Sequence, residues 1–153
     1  MLRFVAVAAT IALGATAVFA QNAATIDARK ASMKAIGGAM GAPSKMMKGE
    51  APFDLAAVQA SLKTIEENAI KSKGLFGDDS KTGDTATLPV AFEKKADVMA
   101  KFDKTAADAK AAAAAIKDEA SFKAEWPKIG ANCGAPWPAA PPGCGNRSAR
   151  RRC

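Results

Sequence analysis

A chain of 153 residues with three cysteines, no histidine and a formal charge of +7 has a one-domain length. Its cysteines, Cys133, Cys144 and Cys153, all sit near the end, so a hydrophobic core rather than a disulfide framework must hold the body. The missing histidine excludes a Ser-His-Asp triad and an imidazole zinc site. Four of the positive charges, Arg147, Arg150, Arg151 and Arg152, belong to the tail, which leaves the body without the basic face that nucleic-acid binding needs.

Met1-Leu2-Arg3 gives a short positive start, and Phe4 to Phe19 carries no charge. Small residues precede Gln21, so residues 1–20 read as a secretory signal peptide cleaved after Ala20. The alternative, an uncleaved anchor, is short of the ~20 residues a bilayer core requires. The mature chain is therefore expected in the periplasm, with no stable membrane anchor.

Four segments then repeat apolar residues at three- and four-residue steps, the mark of one helix face. The first runs from Ile26 to Met40 with Thr25 as N-cap, and puts Ile26, Arg29, Met33, Ile36 and Met40 in register. The second starts at the N-cap Asp54, presents Leu55, Val58, Leu62, Ile65 and Ala69, and ends before Gly74. A loop rich in Gly, Asp, Ser and Thr follows to Leu88. Pro89 suits the first position of a third helix, which carries Phe92, Met99, Phe102, Ala106, Ala109, Ala113 and Ile116. The fourth begins near Asp118 with Phe122, Trp126, Ile129 and Cys133 on one face, and Pro127 inside it predicts a kink.

No segment alternates with period two, so the fold class is all-α, an antiparallel four-helix bundle. Its core reads as Met- and Ala-rich, which is thin unless a bound group fills it. From Pro138 to Cys153 there is no Asp, Glu, Leu, Ile or Val, and this stretch reads as a disordered basic tail. The bundle domain spans 21–137.

The fourth helix ends Ile129-Gly-Ala-Asn-Cys133-Gly-Ala-Pro136-Trp137. Together with Ile26-Asp-Ala-Arg29-Lys-Ala-Ser-Met33-Lys-Ala-Ile-Gly-Gly, Leu88-Pro-Val-Ala-Phe92-Glu and Ser121-Phe-Lys-Ala-Glu-Trp-Pro-Lys, this end resembles the cytochrome c-prime family of exported four-helix bundles. The resemblance implies haem c as cofactor, and a redox partner protein or a small gas as partner. It also implies a homodimer. It implies no enzymatic activity, and no catalytic constellation stands out in the residues.

That family closes its last helix with Cys-x-x-Cys-His. Cysteines three apart lie on one helix face and reach the same porphyrin, and the histidine reaches the iron. Here Cys133 holds the first position, Pro136 stands at that of the second cysteine and Trp137 at that of the histidine. Only one thioether can form, so the chain as written is expected to hold little covalent haem. A haem-free periplasmic binding module is the alternative reading. By the same resemblance Met33 lies over the open haem face, as axial ligand or as a distal blocking residue, while Arg29 lies near the haem edge and its propionates.

The codons offer a cause for the broken motif. Ala-Cys-His-Gly can be written GCC-TGC-CAT-GGN, and loss of the two bases TG leaves GCC-CCA-TGG, which is Ala-Pro-Trp. The Pro- and Arg-rich tail is what a GC-rich gene yields out of frame; a tail that arose as a linker is the competing account. Met46 and Met47 are neighbours and point apart on a helix, so they read as core contacts and not as a soft-metal site. Trp126 reads as core.

Overall fold

Long apolar helical faces separated by a single extended loop leave one economical arrangement, helices packed side by side. The computed structural model describes residues 5–134, with side chains over 22–133. Its elements are α1 (Val5–Ala39), α2 (Gly41–Met47), α3 (Leu55–Lys73), a 3-10 turn (Asp78–Ser80), α4 (Val90–Glu93), α5 (Lys95–Ala115) and α6 (Glu119–Gly134). All regular structure among the described residues is helical. Four long helices, α1, α3, α5 and α6, make the bundle. The expected tail and the positions Pro136 and Trp137 lie outside the described residues.

Local chemistry sets most helix ends. Asp54 caps α3 by accepting from the Ala57 N–H at 3.1 Å, and Gly74 closes the same helix. Asp118 caps α6, accepting from the Ser121 N–H at 2.8 Å. The last carbonyls of α5 are taken by a side chain from α3: Gln59 Nε2 donates to the Ala113 and Ile116 carbonyls, each at 3.0 Å. α6 runs unbroken through Pro127.

Three expectations need correction. α1 does not begin at Thr25; it is continuous from Val5, because nothing between Ala20 and Thr25 breaks a helix, and the Thr25 hydroxyl instead donates to Asp79 at 3.4 Å. The third helix is interrupted at Lys94, whose backbone (φ −100°, ψ 41°) is not helical. Phe92 and Val98 are both buried, yet six residues apart on one helix they would point in different directions; the break resets the phase. Finally, the core is not Met-rich. It is built of Ile, Leu, Val, Phe and Trp together with the expected alanines, Ala69, Ala91, Ala109 and Ala112, and Met40, Met46, Met47 and Met99 lie half-buried at its edge.

That core divides in two. One cluster joins Ile36, Val58, Leu62, Ile65, Ile116, Phe122, Trp126 and Ile129, with Phe122 stacked between Phe53 and Trp126 at 5.5 and 5.7 Å. The other joins Ala69, Phe76, Phe92, Val98 and Phe102. α3 packs on both α1 and α5, and α5 packs on α6, whereas the described parts of α1 and α6 barely touch. The fourth side of the bundle is therefore open. Among the described residues no helix is long and apolar enough to cross a membrane.

Candidate functional site

The open side forms a groove of about 160 Å³ lined by Met33, Ile36 and Gly37 of α1, Phe102 and Thr105 of α5, and Asn132 and Cys133 of α6. Ile36 belongs to one core cluster and Phe102 to the other, so the groove lies where the two meet. The structure thus brings Met33 and Cys133 to one cavity. Met33 is 38% exposed, although Ile26, Arg29 and Ile36 on the same register are buried. At Gly37 a Cβ would meet nothing within 4 Å, so that wall has room to spare.

Cys133 sits exposed at the rim, and its partial burial against the groove pushes the thiol pKa up. At neutral pH it is a protonated thiol. Beside it, Asn132 Nδ2 donates to Asp108 Oδ2 at 2.7 Å and ties α6 to α5. Lys104 also donates to this carboxylate. The Asn132 and Lys104 bonds hold the Asp108 carboxyl below the usual carboxylate range.

Arg29 lies one turn before Met33 and is only 3% exposed. Its Nη1 donates to the Leu75 carbonyl and to Ser80 Oγ, each at 2.8 Å. Its Nη2 donates to the Ser80 carbonyl at 3.1 Å and to Thr85 Oγ1 at 2.8 Å. The guanidinium also lies over the rings of Phe76 and Phe92, at 5.2 and 5.3 Å from their centroids. Burial pulls its pKa down, and the nearby Asp79 carboxylate opposes that; an arginine remains charged throughout the physiological range. A buried charge on an apolar stripe is therefore satisfied by neutral oxygens of the loop, with Asp79 close by. Next to it, Lys30 pairs with Asp84 at 2.7 Å.

The remaining candidates separate from the groove. Trp126, Met46 and Met47 join the first core cluster. Among the described residues no group of three or more His, Cys, Asp or Glu could hold a metal ion. Sequence reasoning missed Ser80, Thr85 and Asn132. All three are short polar residues without periodic signature, and only the fold brings them to Arg29 and Asp108.

A flat macrocycle fits the site in part. The groove is narrower than the ~300–1,000 Å³ of ligand pockets in general, and Ile36 on its α1 wall shares a core cluster with Trp126 and Ile129 of α6, so widening it for a macrocycle means repacking that side chain. Of its lining residues, Cys133 would hold such a group through a thioether formed by its thiol, and Met33 would offer a soft sulfur to its metal. No imidazole exists anywhere in the chain.

A family model described as Cytochrome C' matches residues 24–135. A protein named cytochrome c' from Rhodopseudomonas palustris is 45% identical over 133 residues, covering 86% of this chain and 90% of that protein. A cytochrome c-556 from Agrobacterium fabrum is 41% identical over 123 residues, covering 80% of this chain and 82% of the relative. The solved structure of cytochrome c' from Rhodopseudomonas palustris aligns with a TM-score of 0.70 at 47% identity, over 73% of this chain and 90% of that one.

Proposed function

Because the chain belongs to the cytochrome c' family, we propose that it is a bundle built to seat haem c in the α1/α6 groove, exported to the periplasm by residues 1–20. Its role is electron transfer with a redox partner protein or the holding of a small gas, in a homodimer. The observation that carries this is the open bundle side, where Met33 and Cys133 line one cavity. Bound there, haem would supply one-electron chemistry or a gas-binding iron.

The chain's own residues divide the work. Cys133 anchors from α6 through its thiol. Met33 stands on the α1 wall, as axial donor or as the side chain that blocks the iron's open face. Arg29 places a positive charge at the site's edge. Four of its N–H bonds already go to the loop, so propionates would meet its field more than its hydrogen bonds. Pro136 and Trp137 occupy the second-cysteine and histidine positions and supply neither function, which leaves attachment weak in the chain as written.

The family match ends at residue 135, immediately before Pro136. This supports the loss of two bases at that point, with the tail from Pro138 out of frame. A second reading, a haem-free binding module, is favoured by the absence of histidine. Expression of the exported chain alongside haem-attachment machinery separates them. A Soret band that survives acid–acetone extraction and disappears in Cys133→Ala supports the haem reading; a colourless, folded helical protein whose Pro136→Cys/Trp137→His variant is also colourless supports the other.

A further inference from the structure

The geometry points to Arg29 as a positioning residue that shapes the groove from outside it, through the aromatic wall Phe76–Phe102. This inference rests on the groove being the porphyrin site. Phe102 lines the groove directly. Its ring stacks on Phe76 at 5.7 Å between centroids, and Phe76 stacks on Phe92 at 5.8 Å. The Arg29 guanidinium covers both Phe76 and Phe92. Arg29 is thus joined to the groove wall by two ring contacts in series, without itself lining the cavity.

The hydrogen bonds fix where that planar cation sits. The acceptors belong to the segment from Leu75 to Thr85, which also carries Phe76. Ser80 is wholly buried, and its hydroxyl donates to the Gly77 carbonyl at 2.8 Å, which closes the turn on itself. Gly83 is the second fixed point: with φ at +115°, a Cβ there would come within 3.0 Å of Ile26 Cδ1 on α1. Lys30 to Asp84 and Thr25 to Asp79 pin the same loop to the same helix. The loop, the helix and Phe76 therefore move as one unit, and the guanidinium is its centre. A lysine keeps the charge but not the planar fork that reaches four oxygens at once.

The test is a fluorescence titration of the exported chain with zinc protoporphyrin, which needs neither the missing histidine nor covalent attachment. Arg29→Lys and Phe76→Leu are expected to weaken binding about tenfold each, with the double variant no weaker than the worse single one, because both act along one path. Thr85→Val, which removes one acceptor and keeps the shape, should weaken it less and serves if Arg29→Lys does not fold. Leu62→Ala, in the other core cluster, should lower stability and leave affinity unchanged, so a merely structural effect is separable. Met33→Trp fills the groove and should abolish binding. If Arg29→Lys and Thr85→Val bind as the parent does while Met33→Trp does not bind, the positioning role is wrong and the groove reading stands. If Met33→Trp binds normally, or the parent does not bind at all, both are wrong.

Discussion

Met33 of α1 and Cys133 of α6 line one groove, although they come from opposite ends of the bundle sequence. Neither is needed to hold the fold, since the two core clusters close without them. Residues exposed at a cavity and spared from packing are free to serve a ligand. Met33→Ala should therefore cost less than ~1 kcal/mol of stability in urea melts, while shifting the visible spectrum of any bound haem. A loss comparable to a core substitution would place Met33 in the packing instead.

Arg29 carries the opposite expectation. Truncation to alanine leaves the buried Ser80 oxygens and the half-buried Thr85 hydroxyl without their donor, at roughly 2–4 kcal/mol. Chemical denaturation of Arg29→Ala checks this directly. A change within ~0.5 kcal/mol, the range of ordinary surface substitutions, would contradict the buried network described above.

Acid should loosen the tie between α5 and α6. The Asp108 carboxyl has a lowered pKa in the folded chain, through Asn132 first and Lys104 next. Its stabilising contribution is thus complete above the unfolded value of ~3.9 and is lost as pH falls through the lower folded value. The side chain is half-buried, at 30% exposed, while its Lys104 partner faces solvent, so the contribution is on the order of 1 kcal/mol. Thermal melts from neutral pH downward should show it in the parent and not in Asp108→Asn. Equal acid profiles for the two would count against the interaction.

The first core cluster is where large losses belong. Phe122 is fully buried and stacks on both Phe53 and Trp126, and its replacement by alanine should cost ~3–5 kcal/mol. Denaturation midpoints decide it, and a cost near 1 kcal/mol would show that the cluster collapses around the gap.

The gene offers a separate check on the broken motif. Resequencing is expected to recover a Cys-His pair in another frame directly after Ala135. If no frame encodes one, the two-base loss is wrong and the tail has some other origin.

How much of this was legible in the sequence depends on the kind of signal. α3 could be read at both ends, because Asp54 and Gly74 carry their meaning locally and its seam repeats without interruption. The break at Lys94 could not: Phe92 and Met99 share a register, and only burial of Val98 reveals that the phase changes. Met33 and Cys133 were found by pattern, but their shared groove exists because α1 and α6 fail to pack, which no single-helix pattern encodes. Arg29 was singled out as a charge on an apolar face. Its partners lie 46 to 56 residues away in an aperiodic loop, so their identity had to come from the fold.

The most direct test uses the visible spectrum of Pro136→Cys/Trp137→His, produced with haem-attachment machinery, with and without Met33→Ala. Haem seated between α1 and α6 predicts a Soret band resistant to acid–acetone extraction whose position or shape changes when Met33 is truncated. A band that ignores Met33, or a folded protein with no band, would contradict it.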